Sequence, residues 1–427
     1  MVTLALLAGA AGAEQRPVNY DESAVGEVVL PELLRGADGT VVATSGDWER
    51  RRRPEVLKLF QEHVYGRIPP RPDDLRFEVV ATRPDALGGK ATRKLVRIWL
   101  ANHPAWPGMD VMVHVPNGAG ARAPVFVGLS FNGNQGVTTD TDVPISTRWV
   151  RPGPVAAGNR ATVASRGCES SRWAIEAIVG RGMAVASAYY GDIEPDHEEG
   201  WKEGVRAALS PAGAQTVWQP GDWGAIGAWA WGLSRILDSL ETDPAVDATK
   251  ATVMGHSRLG KTSLWAGASD PRFAVVISND SGEGGAALMR RNFGETTEII
   301  TRAFPHWFTP GYRRYANNAM ACPVDQHMLI ALAAPRPVYI ASAAEDAWAD
   351  PKGEFLAGLH AGPVYALFGK GGVGLDQQPA LNQPVGDAIG YHIRSGKHDV
   401  TDYDWEQYLA FTTRHFGHRP PAGPGRP

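Results

Sequence analysis

The chain has 427 residues, 43% of them hydrophobic and 21% charged, with 14 tryptophans, a composition that excludes a fibrous or extensively disordered protein. Its 42 basic and 46 acidic side chains leave a net charge of −4, which offers no basic field for phosphates, so nucleic acid is not an expected partner. No run of 18 apolar residues occurs, and no membrane span is expected in the mature protein.

The first segment, residues 1–13, is apolar and ends in Ala11-Gly12-Ala13, as a trimmed secretory signal does, though it lacks a basic start. The expected location is therefore secreted or periplasmic, and a plain apolar tail is the alternative. Next come Leu75–Ala81, Lys94–Leu100 and Asp110–Val115, whose alternation predicts antiparallel strands at a sheet edge. The short, nearly continuous apolar runs Pro124–Leu129, Met183–Ala188, Ala251–Met254, Phe273–Ile277, Pro337–Ile340 and Val364–Phe368 predict strands buried on both faces of a parallel sheet. Between them Ile226, Trp229, Ala230, Leu233, Ile236, Leu237 and Leu240 recur on one helical face. Alternating strand and helix is an α/β pattern. A last helix is predicted over Asp402–Phe416, and the Pro/Gly-rich 419–427 is expected to be a disordered tail. No linker composition divides residues 50 to 415, so 14–418 is expected to be one catalytic domain with long loops at Asn132–Ser165 and Gly191–Gly221. The two cysteines, Cys168 and Cys322, are too few for a disulfide framework and have no metal spacing; whether they pair stays open.

The chemistry centres on Gly255-His-Ser257-Arg258-Leu-Gly260-Lys261. A strand running through small residues and a serine into a helix is the setting of a nucleophile elbow, which makes Ser257 the candidate nucleophile and the Arg258 N–H a candidate oxyanion donor. The second glycine comes one residue later than in the usual Gly-x-Ser-x-Gly. The same residues also satisfy the phosphate-loop spacing, but Arg258 and Leu259 stiffen the loop and no Walker-B-like carboxylate pairs with it. A base is expected after the last strand, where His398 lies ahead of the final helix. His327 sits in an apolar helical pattern and reads as a hydrogen-bonded core histidine, while His256 is expected to face away from the side on which Ser257 points out. Three carboxylates compete to orient His398: Asp280 after one predicted strand, Glu345 and Asp346 after another. The acidic run Asp192–Glu199 lacks the spacing of a calcium loop and reads as a solvated turn, and no metal site is expected.

At these residues the sequence resembles the glucuronoyl esterases, carbohydrate esterase family 15, in particular their bacterial branch. Gly-His-Ser257-Arg258-Leu-Gly-Lys261 is similar to that family's Gly-Cys-Ser-Arg-Asn-Gly-Lys elbow, which accounts for the late glycine. The similarity extends through Phe60–Gly66, Tyr189–Ile193, Asn279–Gly285, Arg291–Thr296, Pro323–His327, Ala334–Pro337, Glu345–Pro351 and the His398 loop, about residues 45 to 416. The resemblance implies an α/β-hydrolase fold, a three-layer sandwich with a mostly parallel central sheet and antiparallel N-terminal edge strands. It implies hydrolysis, without a cofactor, of esters of 4-O-methyl-glucuronic acid that join glucuronoxylan to lignin alcohols, by a protein expected to be a monomer. It assigns the oxyanion to the backbone and guanidinium of Arg258, and the uronic acid to Lys261, Glu295 and Trp348. Two departures stand out. The best-known fungal members carry Glu at the position of Asp280, and they tie a cysteine beside the nucleophile to the residue before the catalytic histidine, where this chain has His256 and Lys397. An acetyl xylan esterase with the same triad and a non-catalytic carbohydrate-binding protein on this scaffold are the competing readings.

Overall fold

The computed structural model describes residues 17–118, 122–210 and 217–418. The expected leader (1–13) and tail (419–427) lie outside the described residues.

The apolar runs become the strands of a ten-stranded sheet. In chain order they are β1 (Leu75–Asp85), β2 (Ala91–Leu100), β3 (Met109–Pro116), β4 (Ala123–Ser130), β5 (Ala184–Tyr189), β6 (Val246–His256), β7 (Phe273–Asn279), β8 (Val338–Ala343), β9 (Val385–Gly386) and β10 (Ile389–Arg394). Their spatial order is β1-β2-β3-β5-β4-β6-β7-β8-β10-β9. From β5 to β10 neighbours pair in parallel. The N-terminal strands β1, β2 and β3 add an antiparallel edge against β5, as their alternation predicts.

Each parallel strand sends successive side chains to opposite faces, and both faces are buried. Val127, Val253, Val276 and Ile340 join one apolar core with α1 (Ala225–Leu240), α2 (Arg258–Ser269) and α3 (Pro351–Leu367). Phe126, Met254, Ile277 and Ala341 join the other with the short helix Ile175–Gly180 and α4 (Asp402–Phe416). Sheet between two helical layers is the expected three-layer α/β-hydrolase sandwich. No described helix is long and apolar enough to cross a membrane.

Two readings change. Val364–Phe368 is not a strand; its first four residues close α3, in a helix apolar enough that a short run carries no periodicity to separate it from a buried strand. The strand that precedes the His398 loop is β10 instead. Helix α1 is buried on nearly all sides rather than along one stripe, because loops after β5 and around Trp307 cover the face turned away from the sheet.

Candidate active site

Every candidate residue lies beyond the carboxyl end of a parallel strand, where open α/β sheets hold their ligands. Ser257 follows β6, Asp280 follows β7, Asp346 stands three residues past β8, and His398 follows β10.

Ser257 is held at φ 57° and ψ −128°, a region that non-glycine residues occupy only under constraint. The constraint is visible in the backbone. Its N–H donates to Asn279 O at 2.9 Å, and its carbonyl accepts the N–H groups of Gly260 and Lys261 as α2 begins. A Cβ on Gly255 would stand 1.9 Å from the Leu259 carbonyl oxygen, so only glycine lets the helix turn back over the strand. At Gly260 a Cβ would meet Ser281 Cβ at 3.0 Å and Asn279 O at 3.1 Å. The late glycine thus serves the packing of α2 against the end of β7.

Among the competing carboxylates, Asp346 is the one hydrogen-bonded to His398: Oδ2 lies 2.6 Å from Nδ1, with the carboxylate buried and the imidazole 40% exposed. That contact places the ring proton on Nδ1 and leaves Nε2 as an acceptor. Asp280 has a different partner. Its Oδ2 accepts the Asp399 N–H at 3.3 Å and faces Arg394 Nη2 at 3.5 Å, so it holds the loop that carries His398. Burial, with Glu354 and Asp346 nearby, pushes the Asp280 carboxyl well above the usual range, and its Oδ1 is buried without a partner. Carboxylate or imidazole atoms of Asp280, Asp346 and His398 all fall within 4.8 Å of one another. Glu345 is exposed and donates its N–H to Gly396 O.

His256 does not face away. Its ring packs on that of His398, centroids 4.4 Å apart, and Nδ1 meets Asn279 Oδ1 at 2.5 Å. Because Asn279 Nδ2 is engaged by the Tyr408 hydroxyl, the amide presents its oxygen and His256 carries its proton on Nδ1. Burial and the neighbouring His398 hold His256 well below the usual histidine range, hence neutral. The tilted ring lies between two loops that lack a covalent staple. Cys168 and Cys322 are both free.

The acidic run after β5 is a solvated turn only at its end, where Glu198 and Glu199 are exposed. Asp192, Glu194 and Asp196 are buried, because each points inward to a partner. Glu194 holds Arg206 through both carboxylate oxygens, and burial beside Asp110 pushes the Asp192 carboxyl up to about 7. Asp196 pairs with Arg258 Nη1. The Arg258 guanidinium lies over Trp307 at 4.9 Å and beside Phe131 and Phe304, each at 5.7 Å.

A usual elbow completes its oxyanion hole with an N–H from the loop after the strand corresponding to β4. Here the Phe131 N–H that opens this loop is taken by the buried Glu169, 3.0 Å away, which also accepts from Asn132 Nδ2 at 2.7 Å. Glu169 is a residue that the sequence pattern did not single out; nothing marks it, since it follows Cys168 in an irregular loop.

Lys261 and Glu295 are brought together, Nζ to Oε2 3.8 Å, both buried, and Lys261 Nζ also donates to Ser281 O. Burial lowers the Lys261 ammonium and raises the Glu295 carboxyl from their ordinary values. Trp348 is 40% exposed, and its carbonyl accepts the Glu295 N–H at 2.9 Å. The Trp307 ring lies near both cations, 6.0 Å from Lys261 Nζ and 4.9 Å from the Arg258 guanidinium, so one indole adjoins the two groups.

Comparison with known proteins identifies the family. The family model for fungal glucuronyl esterases matches residues 216–369. The chain is 46% identical to carbohydrate esterase MZ0003 from an unknown prokaryotic organism, over 94% of this chain and 93% of the relative. It superposes on the glucuronoyl esterase from Solibacter usitatus with a TM-score of 0.88 at 48% identity, covering 93% of this chain and all of that one. A promiscuous CE15 esterase from a marine bacterial metagenome superposes with a TM-score of 0.87 at 46% identity, again over 93% of this chain. An elbow with a late glycine, a basic residue on its helix and relatives matching nearly end to end lead to one conclusion: the chain belongs to carbohydrate esterase family 15, the glucuronoyl esterases.

Proposed function

We propose that this protein is a serine esterase that hydrolyses esters of 4-O-methyl-glucuronic acid, the linkage between glucuronoxylan and lignin alcohols, acting in the secreted or periplasmic compartment. The observation that carries the substrate class is the Lys261–Glu295 pair beside Trp348, adjoining the guanidinium of Arg258. An ammonium and a carboxylate suit the hydroxyls of a uronic acid, and the indole supplies an apolar wall. Relatives named 4-O-methyl-glucuronoyl methylesterase support the same reading.

In this reading Ser257 Oγ attacks the ester carbonyl and His398 Nε2 takes its proton, while Asp346 stabilises the imidazolium through Nδ1. The Arg258 N–H and guanidinium stabilise the oxyanion, a charge-assisted arrangement stronger than two neutral donors. His398 then protonates the departing alcohol, leaving a glucuronoyl ester on Ser257. Water, deprotonated by the same imidazole, releases the uronic acid.

The test compares kcat/KM on benzyl glucuronate with that on an acetylated xylo-oligosaccharide, for wild type and Ser257→Ala. Preference for the uronate ester, lost in the alanine variant, is the expected result. Preference for the acetyl ester refutes the substrate class, and activity surviving the substitution refutes the nucleophile.

A further inference from the structure

Arg258 is a long cation at the edge of the site, and a flexible donor is a poor oxyanion stabiliser unless something fixes it before the reaction begins. The candidate for that role lies in the acidic run after β5. Asp196 has a fully buried side chain and receives five donors from four separate stretches of chain. Its Oδ1 accepts Trp307 Nε1 at 2.7 Å and His306 Nε2 at 2.9 Å. Its Oδ2 accepts the Tyr190 hydroxyl and Arg151 Nη1, each at 3.1 Å, together with Arg258 Nη1.

We infer that Asp196 is a positioning residue for catalysis, which fixes the Arg258 guanidinium in its oxyanion-binding place. This inference rests on the reading of Arg258 given above.

Three features carry it. First, the position of the guanidinium is determined from two directions: Asp196 holds one terminal nitrogen, and the Trp307, Phe131 and Phe304 rings surround the plane. Trp307 belongs to both sets, because its indole N–H bonds Asp196 while its ring lies under Arg258. Second, the clamp leaves donors over. Arg258 Nε is buried with no hydrogen-bond partner, so the pairing with Asp196 does not exhaust the guanidinium. Third, the charge balance stays favourable for an anion. A single carboxylate next to Arg258 would cancel the charge that the oxyanion needs, but Asp196 is shared with Arg151, and two guanidiniums against one carboxylate leave a net positive cluster. Burial alone would raise the Asp196 carboxyl; the His306 hydrogen bond and the Arg258 charge outweigh it and hold the group well below the usual range, so the clamp stays ionised.

A residue that acts through Arg258 and one that merely supports the fold differ in a double-mutant cycle. With benzyl glucuronate, Asp196→Asn is expected to lower kcat about 10- to 100-fold, with KM changed less than about threefold, the scale of impairing one oxyanion donor. In the Arg258→Ala background the same change is expected to lower kcat less than about threefold further. Trp307→Phe, which removes one hydrogen bond to Asp196 and keeps a ring under the guanidinium, is expected to show the same dependence on Arg258 and serves if Asp196→Asn does not fold. Losses that multiply in the two backgrounds, or unimpaired kcat in both Asp196→Asn and Trp307→Phe, overturn the inference alone. Wild-type kcat in Arg258→Ala overturns the reading of Arg258 on which it rests.

Discussion

The pair Asp346→Asn and Asp280→Asn separates two carboxylates that both stand beside His398 and differ in what they hold. Asp346 bonds the imidazole Nδ1 at 2.6 Å from a buried position. An amide there either donates to Nδ1, which forces the ring proton onto Nε2 and blocks it as a base, or accepts from it without the charge that stabilises the imidazolium. Loss of a triad acid of this kind lowers kcat about 10⁴-fold, equivalent to about 5.4 kcal/mol of transition-state stabilisation. Asp280 accepts the Asp399 N–H, and burial beside Glu354 pushes its carboxyl well above the usual range. An asparagine retains a carbonyl for the Asp399 N–H and touches no atom of the His398 ring, so kcat is expected within about tenfold of wild type, about 1.4 kcal/mol. The assay is kcat on benzyl glucuronate at neutral pH, with a thermal melt for each variant. If Asp346→Asn stays within tenfold, or Asp280→Asn loses more than Asp346→Asn in a folded protein, the assignment of the acid is wrong.

His256→Ala removes the ring packed against His398, and kcat is expected to drop about 10- to 100-fold with little change in KM, the cost of a misplaced catalytic group. His256→Phe keeps a ring there and should recover most of that loss; steady-state kinetics showing both variants equal would remove the packing argument. Gly255→Ala drives a Cβ to 1.9 Å from the Leu259 carbonyl oxygen and is expected to cost about 3 kcal/mol in a denaturant melt, along with the activity; a wild-type midpoint would contradict the close approach. Glu354 accepts the N–H groups of Ser281 and Gly282 and the Ser342 hydroxyl, and burial pushes its carboxyl up to about 7 from 4.5. The folded state therefore binds more protons than the unfolded one between these values, and its contribution is full below about 4.5 and lost as pH rises through about 7. Glu354→Gln lacks that titration, so the stability of wild type relative to the variant should decline from pH 5 to 8; a gap that does not vary with pH would show the group is not shifted.

Much of the framework was legible because a parallel sheet covered on both sides demands unbroken apolar runs, and β4 to β8 supply them. The run Val364–Phe368 obeys the same demand for another reason: α3 packs one side on the sheet through Phe355 and Val364, and its alanines make the remainder apolar as well. Length, not hydrophobicity, separates the two cases. The elbow was legible since its glycines answer to backbone contacts made within ten residues of the serine or at the neighbouring strand end. The choice between Asp280 and Asp346 was not. Asp280 follows the strand next to the serine's and Asp346 the strand beyond that one, and only the three-dimensional path of the β10 loop decides which oxygen meets Nδ1 and which meets a backbone N–H. The acidic run hid its burial for a related reason. Its partners Arg206, Arg258 and His306 are 12, 62 and 110 residues away along the chain, and charge alone cannot distinguish a solvated carboxylate from a paired one.

The arginine after the nucleophile follows from what surrounds it. Glu169 occupies the first N–H of the loop after β4, the region from which related elbows draw their second oxyanion donor. In the proposed mechanism the developing charge needs a donor beyond the Phe131 N–H, and the helix that begins at Arg258 places a side chain beside its own backbone N–H. A guanidinium in this proposed role must be held still without having its charge cancelled by its holder. The aromatic surround and the buried carboxylate of Asp196 meet the first need, and the second guanidinium of Arg151 meets the other. In the proposed mechanism Glu169, Arg258 and Asp196 form one linked solution: changing Glu169 to glutamine would free nothing unless the loop also moved, because its oxygen would still accept the Phe131 N–H, whereas removing Asp196 acts directly on the side chain that the proposal gives to the oxyanion.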